Sequence, residues 1–262
     1  MEFKDKRILI TGATGGIAYE IAKILSKEGC KLALFARREE KLKEISEELT
    51  NDNTQCIYKK CDVSNREDVI AAVNYMIKEF KGIDIAILTA GVLIPNPIQT
   101  FDSSIIKKSM EINFMGIVYF IEQILPVMKK QRNGMIAAIS TLPDKRGVPG
   151  WGAYGASKAA VSWLMESLRA EAKQRYNISM VTIKPGSVET PMIKDYHRVG
   201  AVPASRAAEI IVKGLKKEKK VIQFPLSQVL LVRIQDLLPP SAYDLIPVEL
   251  AKGEGYPEVK EE

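Results

Sequence analysis

Short apolar runs alternate with longer helical patterns along most of this 262-residue chain, and no other feature constrains the fold so tightly. The strand-like runs are 8–10, 31–35, 56–58, 83–88, 135–139 and 179–183. Between them, residues 16–28, 38–50, 65–80, 102–131, 152–176 and 204–217 carry apolar side chains at three- and four-residue intervals, the spacing of an amphipathic helix. Repeated β-α units bury a parallel sheet between helices, joined by right-handed crossovers, with a ligand crevice outside the carboxyl ends of the strands. The expected fold class is therefore α/β: a doubly wound parallel sheet with helices on both faces, in a single domain over 1–252. That span includes an apolar segment, 221–250; residues 253–262 read as a loose charged tail.

Composition narrows the function classes. Hydrophobic residues make up 46% of the chain and charged residues 27%, which suits a globular protein with a full core. Cys30, Cys56 and Cys61 are odd in number and lack CxxC spacing, so no disulfide framework or zinc site is expected, and a reducing, cytoplasmic location is. A single histidine, His197, removes His-based triads and most transition-metal sites, so no metal is expected. The net charge of +6 owes much to the lysines of 213–220, which read as a solvated helix end and not a nucleic-acid patch, because no aromatics interleave them. The N-terminus is charged, and no run of about 18 apolar residues suggests a membrane span.

The chemistry-bearing motifs fall at the strand ends. Thr11-Gly12-Ala13-Thr14-Gly15-Gly16-Ile17-Ala18 follows the first strand and opens the first helix, where glycines let backbone N–H groups and a helix N-terminus meet a pyrophosphate. Such a turn also occurs for steric reasons alone. About 20 residues on, where an NAD site would place an acidic ribose ligand, the chain has Arg37 and Arg38. A guanidinium pairs bidentately with a 2′-phosphate, which favours NADP(H) over NAD(H). Arg37, nearer the strand end, is the stronger choice; Arg38 reads equally well as the basic start of a surface helix.

Tyr154 and Lys158 share one helix face, since residues four apart do so. The same spacing at Tyr19/Lys23 and Tyr256/Lys260 reads as helix surface or tail. Only the pair at 154 and 158 follows a strand ending in two hydroxyls, Ser140 and Thr141. A free tyrosine has a pKa near 10, so acid/base work at neutral pH needs roughly 3 units of depression, and a cation about 4 Å away nearly supplies it.

Taken in order, the glycine run, Arg37, Asp62, Asn113, the hydroxyl pair and Tyr154/Lys158 resemble the short-chain dehydrogenase/reductase family, from about residue 5 to 195. The resemblance implies a Rossmann-type sheet and hydride transfer between a nicotinamide cofactor and a small carbonyl or alcohol substrate. It implies that Tyr154 is the acid/base, that Lys158 lowers its pKa and holds the nicotinamide ribose, and that Asn113 anchors a water linking Lys158 to solvent. Counting back thirteen residues from the tyrosine makes Thr141 the substrate-orienting hydroxyl where the family has serine; a shift of one position would give that role to Ser140. The resemblance places Asp62 and Val63 at adenine, Ala90 and Gly91 by the adenine ribose, and Pro185, Gly186, Val188 and Thr190 around the nicotinamide. Two departures stand out. Ala18 replaces the last glycine of the turn, and Thr89 replaces an asparagine, which puts part of the strand-stabilising hydrogen bonding in doubt.

A substrate loop is implied over 192–202, and helices 102–131 and 152–176 are implied as a homodimer or homotetramer interface. Leu230, Leu231, Ile234, Leu237 and Leu238 can share one helical face, expected foremost to dock on the core or a partner subunit. A lid over a lipophilic substrate and a shallow peripheral membrane contact stay open for it. The alternative to an enzyme is a catalytically silent NADPH-binding regulatory module of the same fold.

Overall fold

The structure, a computed structural model, describes residues 1–193 and 200–245. His197, most of the implied substrate loop and the charged tail lie outside the described residues.

The elements in chain order are β1 (Arg7–Thr11), α1 (Gly16–Leu25), β2 (Lys31–Ala36), α2 (Glu39–Leu49), β3 (Gln55–Lys60), α3 (Arg66–Phe80), β4 (Ile85–Leu88), α4 (Ser103–Met110) and α5 (Gly116–Gln131). There follow β5 (Gly134–Ile139), α6 (Gly152–Tyr176), β6 (Ile178–Pro185), β7 (Val188–Glu189), β8 (Val202–Pro203), α7 (Ala204–Lys216), β9 (Val221–Phe224), α8 (Leu226–Leu237) and α9 (Pro240–Tyr243). Seven strands form one parallel sheet in the order β3-β2-β1-β4-β5-β6-β9. Ile8, Leu9 and Ile10 are all fully buried, as they must be in a strand covered on both faces. Alternate residues serve opposite cores. Ile8 and Ile10 pack with α1, α2 and α7; Leu9 packs with α3, α5 and α6.

The strand order reverses beside β1, whose neighbours are β2 and β4, so the loops leaving β1 and β4 diverge and open a crevice between them. The expected α/β sheet with helices on both faces is what forms, with three differences. The 102–131 segment is not one α-helix: residues Glu111–Met115 make a π turn between α4 and α5. Its apolar periodicity runs straight through, so the inserted residue leaves no mark in the pattern. This segment is by length and composition apolar enough to cross a bilayer, yet in the fold its helices pack as a layer against α3 and α6. Second, Val221–Phe224 is a seventh strand rather than part of an apolar C-terminal segment; Ile222 and Phe224 point into the core while Gln223 faces out. Third, α8 docks through Val229, and the predicted stripe faces away from the chain's own core, with Leu230, Leu231, Ile234 and Leu237 between 52% and 86% exposed.

Candidate active site

The crevice at the switch point measures about 390 Å³. It is walled by all the cofactor-side residues expected from the sequence except Thr11. Gly12 sits at φ +67, and a Cβ there would stand 3.0 Å from the Ala90 Cα. Gly16 sits at φ +53, with a Cβ position 3.2 Å from the Thr190 methyl. Both conformations favour glycine, and the missing side chains leave the first turn of α1 open to a diphosphate. Ala18 is 3% exposed and packs into the core, so the methyl that replaces the last glycine is accommodated.

Thr11 does something other than line the site. It is 2% exposed, and its hydroxyl oxygen accepts from the N–H groups of Thr89 at 3.0 Å and Ala90 at 3.2 Å. The Thr89 hydroxyl donates back to the Thr11 carbonyl. This reciprocal pair stitches the ends of β1 and β4 together, so the loss feared from the absent asparagine does not occur. A hydroxyl of shorter reach suffices because Gly12 lets the two backbones close up.

Arg37 and Arg38 are both exposed at the crevice rim. Their settings differ from expectation. Arg38 is not merely the start of α2: its guanidinium reaches back to the Thr14 carbonyl at 2.8 Å and hydroxyl at 3.1 Å, over the glycine turn. On the far side, the Asp62 carboxylate accepts from the Ser64 N–H and hydroxyl at 3.0 and 2.7 Å, while Asn65 caps α3. Asp62 is thus held in place on the crevice wall rather than consumed as a cap.

At the opposite end, α6 presents Tyr154, half-buried, and Lys158, 2% exposed, with the ammonium nitrogen 6.0 Å from the tyrosine ring centre. Lys158 Nζ donates to the Ile139 carbonyl at 3.0 Å, and burial pushes its pKa down from 10.5 to about 8. The π turn aims Asn113 inward, a placement a regular helix would not give. Its side chain is fully engaged: Oδ1 accepts from the Val92 N–H at 2.7 Å, and Nδ2 donates to the Val92 carbonyl at 2.9 Å and the Ser157 hydroxyl at 3.0 Å. Gly91 passes between the two groups, its Cβ position 3.0 Å from Asn113 Oδ1 and 3.3 Å from Lys158 Nζ. Ser140 points inward, donating to the Lys158 carbonyl at 2.8 Å and meeting Ser162 at 2.7 Å. Thr141 is 7% exposed and Ser140 fully buried, and neither residue belongs to the crevice wall itself.

Sequence reasoning missed Gln228, whose amide on α8 accepts from the Ser187 N–H at 2.8 Å and donates to the Gly200 carbonyl at 2.9 Å. No local pattern marks it, because both partners lie far away in sequence. Cys61 was read only for redox state; it lines the crevice, but burial pushes its thiol up to about 12, which keeps it inert. Among the described residues no cluster of side chains fits a metal ion.

Residues 6–199 match the family model for short chain dehydrogenase. An uncharacterized oxidoreductase of Listeria monocytogenes is 36% identical over 195 residues, covering 74% of this chain and 79% of that protein. Dehydrogenase/reductase SDR family member 7B of Bos taurus is 29% identical over 235 residues, covering 82% and 72%. Among solved structures, levodione reductase superposes with a TM-score of 0.79 at 25% identity, over 87% of this chain and 99% of that one. A Burkholderia phymatum family member in complex with NAD shares the fold, with a TM-score of 0.82 at 20% identity over 98% and 99%. The parallel sheet, the glycine turn at its switch point and the extent of these matches agree: the chain belongs to the short-chain dehydrogenase/reductase family of NAD(P)-dependent oxidoreductases.

Proposed function

We propose that the protein is an NADP(H)-dependent reductase or dehydrogenase of a small carbonyl or alcohol compound, with Tyr154 as its general acid/base. The observation that carries this reading is the layout of one crevice, with two guanidinium groups beyond the glycine turn at one end and the Tyr154/Lys158 pair at the other. The residues fit a dinucleotide: Gly12, Gly16 and Gly91 leave space where a Cβ would crowd neighbouring groups, and Arg37 and Arg38 offer the donor set a 2′-phosphate needs. When bound, the nicotinamide supplies or accepts the hydride.

The chain's own residues handle the proton. Tyr154 transfers it at the phenol oxygen, to a carbonyl oxygen in reduction and from a hydroxyl in oxidation. Lys158, with a pKa of about 8, carries its charge through most of the neutral range and stabilises the phenolate that proton transfer leaves. Thr141 orients the substrate oxygen, since Ser140 is committed to Lys158 and Ser162. The Asn113 amide is committed too, so a water linking Lys158 to solvent would bind the Asn113 main-chain carbonyl beside the π turn.

The outward apolar face of α8, which lies outside the crevice wall, supports an apolar contact there, with a lipophilic substrate or a partner subunit. Trp163 on α6, 78% exposed, supports a homodimer or homotetramer through this layer. Three buried, unpaired thiols suit a reducing compartment such as the cytoplasm. The test is a binding and turnover series. Purified protein should bind NADPH more tightly than NADH and oxidise it with one or more members of a panel of steroids, fatty-acyl ketones and diketones. Tyr154→Phe should lower turnover by about 10²–10⁴-fold with the fold intact. Unchanged turnover removes the acid/base role, and NADPH binding with no turnover across the panel moves weight to a regulatory module.

A further inference from the structure

Gln228 stands outside every motif of the family resemblance, yet one side chain holds two backbone groups from separate segments. Its Oε1 accepts from the Ser187 N–H at 2.8 Å and its Nε2 donates to the Gly200 carbonyl at 2.9 Å. Both are charge-neutral bonds on a part-buried amide, and each satisfies a backbone group outside the main sheet. Between these points β7 and β8 pair, Val188 opposite Val202, and the Val202 N–H donates to the Ser187 carbonyl at 3.0 Å. Ser187 is therefore fixed from both sides, by the β8 ladder and by α8.

The amide fits its place closely. A Cβ on Gly186 would collide with Oε1, so Gly186 leaves the space that Gln228 fills. Gly186 and Val188, the residues flanking Ser187, both line the crevice. Neither Ser187 nor Gln228 lines the crevice, so the amide holds this segment from outside the wall. The helix carrying Gln228 is itself anchored beyond its far end: Arg146 donates to the Leu238 carbonyl, and the Tyr243 hydroxyl donates to the Gly147 carbonyl at 2.9 Å. α8 and α9 thus bridge the chain after β5 and the chain after β6.

We propose that Gln228 is a positioning residue for the nicotinamide end of the site: by fixing Ser187 it sets the Gly186–Val188 backbone, the stretch of crevice wall that would hold a nicotinamide. The inference rests on the cofactor reading above. It makes a claim that general stabilisation does not, because only one end of the dinucleotide should feel the loss. The adenine end is held by the glycine turn, Arg38 and Asp62, none of which Gln228 touches.

The experiment compares two ligands by calorimetry on the purified full chain: NADPH, and 2′,5′-ADP, which has the adenine end and no nicotinamide. In Gln228→Met, of equal length and without the amide, 2′,5′-ADP should bind within about twofold of wild type while NADPH weakens about tenfold or more. Equal weakening of both ligands in Gln228→Met, or of neither, overturns the proposal. A wild type that binds 2′,5′-ADP and NADPH not at all overturns the cofactor reading, and the positioning role falls with it.

Discussion

Replacing Lys158 by methionine should make the cofactor-free protein more stable and at the same time inactive. Lys158 is 2% exposed, and burial lowers its pKa from 10.5 to about 8. Each unit corresponds to about 1.4 kcal/mol, so holding the charged form in the fold costs about 3 kcal/mol below pH 8. The sign follows from proton counting. Between about pH 8 and 10.5 the unfolded chain holds the lysine proton and the folded one does not, so this contribution to stability rises with pH across that window. Methionine has similar length and no charge, but it forfeits the bond to the Ile139 carbonyl, worth about 1 kcal/mol. The net expectation at pH 7 is a variant about 2 kcal/mol more stable, roughly 4–8 °C in unfolding midpoint for a chain of this size. At pH 10 the advantage should vanish. Buried Cys30, Cys56 and Cys61, pushed up to about 12, 11 and 12, oppose this trend, because their contribution is lost as pH climbs past 9. They are common to both proteins and cancel in the difference. The assay is scanning calorimetry of both cofactor-free proteins at pH 7, 8.5 and 10. A variant less stable than wild type at pH 7, or a difference that does not change with pH, refutes the reasoning.

Three further outcomes are expected. Thr89→Val removes the hydroxyl that stitches β4 to β1 and leaves the Thr11 carbonyl unpaired, so denaturant titration should show a loss of about 1–3 kcal/mol. Arg38→Ala should narrow the NADPH over NADH preference by about tenfold or more in direct binding, matching a lost charge-assisted bond, with NADH affinity little changed. Gly12→Ala should cost about 1–3 kcal/mol and abolish cofactor binding, because φ +67 and the 3.0 Å approach to Ala90 both resist a methyl; a variant binding NADPH normally would show the turn is not the diphosphate cradle.

Much of the fold was legible because both-face burial writes itself into continuous apolar strands such as Ile8–Ile10, and because a three- and four-residue apolar spacing marks the helices between them. The site was legible where chemistry depends on spacing within one element, as for Tyr154 and Lys158 on α6. What stayed hidden depends on distance. Thr89 meets Thr11 across 78 residues, and Gln228 meets Ser187 across 41, so nothing near either position reports its partner. The Arg38 side chain turns back over the glycine run from a helix-start setting, and nothing in the local pattern reports that direction. Which way α8 turns its stripe stayed open for a related reason: periodicity shows that a stripe exists but not which side the fold presents to the core.

The π turn at Glu111–Met115 makes chain length itself part of the design. Five residues of a π turn sweep about the same angle as four of an α-helix, so removing one residue within 111–115 would let the helix close into a regular α form while α4 and α5 keep their facing. Asn113 would swing off Val92 and Ser157 even though every remaining side chain was kept. Substitution scans sample only side chains and are blind to this. Single-residue deletions tiled across 103–131 would map it: those within 111–115 should keep the fold while losing the Asn113 contacts, and those farther out should turn packed faces by about 100° and cost stability as well.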